Sequence, residues 1–242
     1  MGLSILVAGG TGLVGQALLR RLVAADDVDR VVSLSRRPGG ATSLKATEIP
    51  ADFVNPALPP GFVPDAALCA LGTTIRKAGS QQAFRAVDHG AVLAFARAAR
   101  AAGARTFALV SSVDAAPGAR NFYLRTKGEV ERDLAMLGFP ALHILRPSLL
   151  LGARQESRPA ERLAMLAAPA LSPLMLGPLA RYRPIPADTV AAALLGAARQ
   201  GPPGGVHHDR GIRRLAGWGE GGTPPIPPRV VQDEPPHRVP SP

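Results

Sequence analysis

Four glycines near the amino terminus constrain the fold of this chain more than any other feature. The short apolar run Ile5–Ala8 leads into the segment GGTGLVG at 9–15, and an apolar-periodic pattern follows it. This order predicts a strand, a glycine-rich turn and a helix. Gly9, Gly12 and Gly15 allow a tight turn and a close approach of the backbone to a pyrophosphate, whose charge the N–H groups of the helix start attract. The segment therefore predicts dinucleotide binding.

Apolar runs alternate with helical patterns along the rest of the chain. Strands are predicted at 30–35, 47–53, 66–72, 106–112, the start of 141–151 and Val206. Helices are predicted within 80–103, in two pieces of which the longer is 88–102, around Tyr123 and at 187–200. This alternation predicts a parallel sheet with helices on both faces, which places ligands at the carboxyl ends of its strands. The residues predicted at such ends are Gly9, Ser35, Gly72, Ser112 and Pro147.

Tyr123 and Lys127 form a Tyr-x-x-x-Lys pair in a chain with only two tyrosines and three lysines. The surrounding apolar spacing is helical, so both side chains are predicted on one helix face. A neighbouring ammonium stabilises a phenolate and favours proton transfer by the tyrosine. We predict Tyr123 as the catalytic acid or base, and Lys127 as the residue that tunes it and binds the nicotinamide ribose. An ordinary surface helix is the alternative.

Ser112 at the end of the fifth predicted strand completes this catalytic set. Its hydroxyl can donate a hydrogen bond to a substrate carbonyl as negative charge develops on the oxygen. Ser111 is the alternative, because successive strand residues point to opposite faces and only one of the two serines can face the site.

The end of the second strand predicts the choice of cofactor. Enzymes that bind NAD place an acidic residue there to hold the ribose hydroxyls. Here the strand ends at Ser35 and is followed by Arg36 and Arg37. Guanidinium groups match a 2′-phosphate, so NADP(H) is predicted. Solvated loop arginines are the alternative.

Composition excludes several other classes of function. The formal net charge is +10, but the arginines are scattered without a dense basic block, so solvated faces are favoured over a nucleic-acid partner. The single cysteine, Cys69, excludes an intrachain disulfide, and without a signal-peptide pattern it predicts a cytoplasmic protein. Prolines interrupt the apolar stretch 163–180, which favours a lid or substrate-facing segment over a membrane span, with peripheral membrane contact as the alternative. Adjacent His207 and His208 lack further ligands, so no metal site is predicted.

The carboxyl-terminal stretch 217–242 is rich in proline and glycine and lacks apolar periodicity. This composition predicts a disordered tail after a single domain at 1–216, whose substrate region covers about 148–216. A proline-rich docking arm is the alternative.

The chain resembles the atypical short-chain dehydrogenases/reductases with a Gly-x-x-Gly-x-x-Gly motif. Within that group it is similar to the HIV Tat-interacting protein 2 family of oxidoreductase-like proteins and their bacterial relatives. The segments that carry this resemblance are GGTGLVG (9–15), CALGTTIRKAG (69–79), VDHGAVL (87–93), LVSSVDA (109–115), YLRTKGEVE (123–131), ILRP (144–147) and RQESRP (154–159).

The resemblance implies a Rossmann-type doubly wound α/β fold with a small carboxyl-terminal substrate region. It also implies Ser112, Tyr123 and Lys127 as a catalytic triad, and Asp52 and Phe53 as an adenine-contacting pair. The group's usual helix asparagine corresponds to Asp88 here, which puts a proton relay through it in doubt. The complete set of predicted cofactor-binding residues is Gly9, Thr11, Gly12, Leu13, Val14, Gly15, Ser35, Arg36, Arg37, Asp52, Phe53, Leu71, Gly72, Thr73, Tyr123, Lys127 and Pro147.

Two functions follow as hypotheses. The first is an NADPH-dependent oxidoreductase, monomeric or homodimeric, that reduces the carbonyl of a small, apolar substrate. The second is a regulatory protein that binds NADPH without turnover, which Asp88 and the short substrate region favour.

Overall fold

The computed structural model describes residues 2–36, 43–151 and 177–218, and within these ranges seven parallel strands form one sheet. Its order is β3-β2-β1-β4-β5-β6-β9, and a separate parallel pair joins β7 to β8. The strands are β1 Leu3–Ala8, β2 Val28–Ser35, β3 Ala46–Pro50, β4 Ala66–Cys69, β5 Thr106–Val110, β6 Ala141–Leu145, β7 Leu150–Leu151, β8 Ile185–Pro186 and β9 Gly205–His207.

Helices cover both faces of this sheet. They are α1 Leu13–Ala24, α2 Ile75–Ala78, α3 Gln81–Arg85, α4 Val92–Ala101, α5 Phe122–Ala135, α6 Ala187–Gln200 and α7 Asp209–Leu215, with a π-helical turn at Ala86–Ala91 and a 3₁₀ helix at Gly177–Tyr182. One apolar core lies between the sheet and α1 and α6, and a second lies between the sheet and α4 and α5. The predicted doubly wound α/β fold is therefore confirmed.

The central strands read as continuous apolar runs because both of their faces are covered. Ile5, Leu6, Val7 and Ala8 are all fully buried, although they point alternately to opposite faces of the sheet. In the strand order, β1 lies between β2 and β4. Its carboxyl end, with the glycine turn, is therefore at the centre of the sheet edge at which this class of fold binds ligands.

Three details differ from the sequence-based prediction. The helix expected at 88–102 continues α3 without a break, because the π-helical turn joins α3 to α4. The stretch 209–215, for which no element was predicted, forms α7. The predicted tail at 217–242 includes Trp218, yet its indole packs on the core and against the Arg213 guanidinium, 4.5 Å from the ring centroid. Residues 219–242 lie outside the described ranges.

In the described ranges, no helix combines the length and the apolar composition that crossing a bilayer requires. Most of the apolar stretch 163–180, interpreted above as a lid or substrate-facing segment, lies outside those ranges.

A histidine pair attaches the edge strand β9 to β6. The His143 and His207 rings are stacked, with His143 Nδ1 3.0 Å from His207 Nε2, and His143 Nε2 donates to the Gly201 carbonyl at 3.0 Å. Burial, together with the neighbouring His143 ring, lowers the pKa of His207 to about 4, and burial lowers that of His143 as well. The two rings are therefore neutral at neutral pH.

This pair predicts that the protein loses stability in mild acid. Between pH 6.5 and about 4 the unfolded chain binds protons that the folded chain does not, so the free energy of unfolding falls as the pH falls. Because His207 is partly exposed, we expect a contribution on the order of 1–2 kcal/mol. Urea unfolding at pH 7 and pH 4.5 measures it. His207→Gln keeps an N–H donor toward His143 without titrating, so this variant should lose less stability between the two pH values; an equal loss would contradict the assignment.

Candidate active site

The glycine turn between β1 and α1 has the geometry of a backbone cradle. Gly9 has φ of 88°, and a Cβ there would lie 2.5 Å from the Ala70 carbonyl carbon. A Cβ on Gly15 would lie 1.9 Å from the Gly9 carbonyl oxygen, so neither position admits a side chain. By contrast, Gly12 is exposed and a Cβ there would meet nothing closer than 3.4 Å.

The start of α1 is open to an anion. Gly12 is its N-cap, and no described side chain caps the helix. Thr11 is exposed and Leu13 is half-buried, while Val14 packs in the core beneath them. The first-turn N–H groups therefore lack side-chain acceptors, which suits a pyrophosphate at the helix N-terminus. Nothing in this turn obstructs the predicted dinucleotide.

The ends of β2 and β3 carry the residues predicted to contact the adenosine part of the cofactor. Ser35 is buried, Arg36 is exposed directly after it, and Arg37 lies outside the described residues. Asp52 is exposed and accepts the Val54 N–H at 2.9 Å, whereas the Phe53 side chain is part of the core. Arg36 is thus at the predicted place, but Phe53 mainly serves packing.

The turn after β4 lies against the predicted catalytic lysine. Leu71 packs on the core and Gly72 is exposed, and the Thr73 N–H donates to Asp88 Oδ2 at 2.8 Å. A Cβ on Gly72 would lie 3.5 Å from Asp88 Oδ1 and 3.9 Å from Lys127 Nζ. Both distances are ordinary van der Waals contacts, so the turn lies directly over these two charged groups.

The loop between β5 and α5, which begins with the two serines, packs on the start of α5. The Ala116 N–H donates to the Leu124 carbonyl at 3.2 Å, and a Cβ on Gly128 would lie 2.1 Å from the Ala116 carbonyl carbon. Gly128 therefore lets the loop backbone rest directly on α5. Tyr123 is half-buried with its ring tilted against Phe84, 5.5 Å between ring centroids.

The two serines have different environments. Ser111 is buried and donates to the Glu131 carboxylate, whereas Ser112 is half-buried. Strand alternation then leaves Ser112 as the serine free to face a substrate. Pro147, at the end of β6, supports this loop because its carbonyl accepts the Val113 N–H at 2.9 Å.

Lys127 is almost fully buried, with 4% exposure, and its Nζ lies 2.8 Å from Asp88 Oδ1. Burial is the largest single influence and lowers the pKa of Lys127, but the Asp88 carboxylate and, to a smaller extent, Tyr123 raise it, and the pKa lies above its usual value. Lys127 is therefore a charged ammonium that is paired with Asp88 and interacts electrostatically with Tyr123.

Sequence reasoning missed a buried ionic cluster behind the serines. Glu131 is 8% exposed and accepts from Ser111 and from Arg146, whose Nε lies 3.1 Å from both carboxylate oxygens. Glu131 follows Lys127 by four residues and Tyr123 by eight, so all three recur at one-turn intervals along α5. That spacing is the signal that could have indicated it.

Polar side chains of the predicted substrate region contact the loop that follows Ser112. Asp114, with φ of 59°, accepts from the Tyr182 hydroxyl at 2.9 Å, and Arg181 donates to the same hydroxyl at 2.8 Å. Leu149 and Leu179, by contrast, are exposed apolar side chains. The described part of the predicted substrate region is thus mixed in polarity, while its remainder and RQESRP at 154–159 lie outside the described residues.

The sheet order, the glycine cradle and the open start of α1 together define a Rossmann-type dinucleotide-binding domain. The model of the NAD dependent epimerase/dehydratase family matches residues 5–204, and the chain belongs to that family. The protein fmp52, mitochondrial, of Emericella nidulans is 39% identical over 178 residues, which are 69% of this chain and 76% of the relative.

Solved structures share the fold at low sequence identity. MoeE5 in complex with UDP-glucose and NAD superposes with a TM-score of 0.60 at 16% identity, covering 91% of this chain and 83% of MoeE5. Human epimerase family protein SDR39U1 with NADPH gives a TM-score of 0.54 at 20% identity, covering 84% of this chain and 72% of the human protein.

The predicted cytoplasmic location is wrong by the same comparison. The relatives from Emericella nidulans, Scheffersomyces stipitis and Aspergillus fumigatus are all named mitochondrial proteins. The prediction rested on a single cysteine and on the lack of a secretory pattern. Those features do not distinguish the cytoplasm from other compartments.

Proposed function

We propose that this protein is an NADPH-dependent oxidoreductase that reduces a carbonyl group, or oxidises the corresponding alcohol, of a small and largely apolar substrate. The observation that carries the proposal is the buried Lys127 ammonium, which lies 2.8 Å from Asp88 and interacts electrostatically with the half-buried Tyr123 one turn earlier on α5. The resemblance to the HIV Tat-interacting protein 2 family supports the same triad. A single domain at 1–216, on whose core Trp218 also packs, with a substrate region at about 148–216, completes the proposal.

In this mechanism each residue has one role. The hydride that the carbonyl carbon accepts would come from NADPH held by the glycine turn. Ser112 donates a hydrogen bond to the carbonyl oxygen as negative charge develops there. The Tyr123 hydroxyl then gives its proton to that oxygen, which becomes the alcohol, and the Lys127 ammonium stabilises the phenolate that remains.

NADPH rather than NADH is proposed because Arg36 is exposed at the end of β2, where an acidic residue would otherwise hold the ribose hydroxyls. An exposed guanidinium can bind a 2′-phosphate there, and Arg37 would add a second one. The Gly9–Gly15 turn would hold the pyrophosphate, and the residues after β4 would line the nicotinamide side.

The second candidate is an NADPH-binding regulatory protein without turnover. It is favoured by Asp88, whose buried carboxylate opposes the Lys127 charge on which the tyrosine mechanism depends. The intact triad favours the enzyme, since cofactor binding alone does not require Tyr123.

The proposal predicts turnover of a panel of aldehydes and ketones by the full chain, with NADPH preferred over NADH. Initial rates measured by cofactor absorbance, together with calorimetric titration of both cofactors, test it. Arg36→Ala combined with Arg37→Ala should remove the preference, since each charged hydrogen bond contributes about 1.5–3 kcal/mol. Binding of NADPH without turnover across the panel would favour the regulatory protein, and equal affinities would refute the cofactor assignment.

A further inference from the structure

Asp88 lies where three elements of the site meet. It belongs to the π-helical turn between α3 and α4 and is fully buried. One carboxylate oxygen accepts the Thr73 N–H from the turn after β4, and the other lies 2.8 Å from Lys127 Nζ on α5. A single side chain therefore connects the predicted cofactor loop to the predicted catalytic lysine.

Both neighbours of Asp88 are donors, and this requirement selects a carboxylate. A backbone N–H and an ammonium have no acceptor atom to offer, so the side chain between them must present two acceptors. An asparagine amide has a single oxygen, and its NH₂ group would face one of the two donors. An aspartate presents one oxygen to each, as a hydrogen-bond acceptor for Thr73 and as the ion-pair partner of Lys127, so it supplies the negative charge that a buried ammonium needs.

The other titratable groups around Lys127 do not supply that charge. Cys69 on β4 is a neutral thiol, because burial raises its pKa to about 12. Tyr123 on α5 is a phenol when it donates its proton. The ion pairs Arg85–Glu129 and His89–Asp133, which also join this helical region to α5, each contain their own counter-charge. Asp88 is thus the carboxylate in direct contact with Lys127 in the described part of the chain.

We propose that Asp88 is a positioning residue for proton transfer: it fixes the Lys127 ammonium beneath the cofactor loop and, by opposing its charge, sets the pH at which Tyr123 ionises. The proposal rests on the proposed function, in which Tyr123 is the proton donor. Asp88 itself touches neither the proton in transit nor the substrate; it acts through Lys127.

Direct titration of the Tyr123 phenol tests this inference without any need for turnover. The chain contains only Tyr123 and Tyr182, so in a Tyr182→Phe background the ultraviolet absorbance of phenolate reports Tyr123 alone. Asp88→Asn in that background should lower the pH of Tyr123 ionisation on the order of one unit, because the buried ammonium then faces the phenolate unopposed. In an active enzyme the corresponding limb of the pH–rate profile should move in the same direction.

Two further variants separate this effect from general damage. Asp133→Asn removes one negative charge from α5 at the His89 and Arg132 contacts, and it should leave the Tyr123 titration unchanged. Asp88→Ser, which keeps an acceptor for the Thr73 N–H, should reproduce the shift if the asparagine variant folds poorly. Thermal melting establishes that each variant is folded.

The outcomes distinguish the two proposals. A lowered ionisation pH in the Asp88 variants without any carbonyl turnover would support the role of Asp88 and reject the enzyme. An unchanged ionisation pH in both folded Asp88 variants, or an equal shift in Asp133→Asn, would overturn the role of Asp88 whatever the activity of the wild type.

Discussion

Tyr123→Phe is expected to lower carbonyl turnover by a factor on the order of 100 or more while leaving NADPH affinity nearly unchanged. The substitution removes only the hydroxyl that donates the proton, a contribution typical of general acid catalysis. The ring itself remains packed against Phe84, so the start of α5 should stay in place. The measurements are kcat and KM for the best carbonyl substrate, together with the Kd for NADPH.

Lys127→Ala is the informative comparison for that result. It removes the ammonium that tunes the phenol and that is predicted to bind the nicotinamide ribose, and it leaves Asp88 as an uncompensated buried carboxylate. We therefore expect it to damage both turnover and NADPH affinity. Full activity in Tyr123→Phe would reject the catalytic assignment, whatever Lys127→Ala does.

Glu131→Leu is expected to reduce the free energy of unfolding by about 3–5 kcal/mol, the cost of removing one partner from a buried ion pair. The Arg146 guanidinium would then lie largely buried without its carboxylate, and the Ser111 hydroxyl would lose its acceptor. Denaturant unfolding of wild type and variant measures the difference.

The same helix provides a matched control. Glu129→Leu breaks the ion pair with Arg85, whose side chain is 46% exposed, so we expect a loss of at most about 1 kcal/mol. Adding Arg146→Met to Glu131→Leu should recover part of the stability, because no unpaired charge then remains. A loss in Glu131→Leu no larger than that in Glu129→Leu would show that the cluster contributes little.

Much of the fold could be predicted from the sequence because its signals are local. The apolar run before Gly9 and the helical spacing at 187–200 correspond directly to β1 and α6. The pair β7–β8 has two residues in each strand and joins Leu150 to Ile185, so only long-range contact defines it. Helix α7 could not be predicted because its short sequence contains a glycine and three arginines and lacks apolar periodicity. It is stabilised by tertiary packing, since Ile212 is buried and Gly196 leaves room for the Leu215 backbone.

In the candidate site, too, residues with a local sequence signal could be predicted and residues defined by long-range contacts could not. Residues with a distinctive spacing, such as Gly9 with Gly15 or Tyr123 with Lys127, could be predicted because the spacing itself is the signal. Glu131 and Asp88 act through partners far away in the sequence, Ser111 and Arg146 for the first and Thr73 for the second. In the sequence, Asp88 stands out only as a departure from the family's pattern, because its local sequence does not show that the Thr73 N–H and the Lys127 ammonium both contact it.

The π-helical turn at Ala86–Ala91 sets the direction in which the Asp88 side chain leaves its helix, and therefore its pairing with Lys127. Such a turn holds one residue more than an α-helical turn, so the residues before it are rotated by about 100° from where an uninterrupted helix would place them. Loss of a single residue there would still leave a good helix and an intact apolar face on α4. If the lost residue follows Asp88, however, the Asp88 side chain would rotate relative to Lys127. A change of one residue in helix length would then alter the charge next to the proposed proton donor.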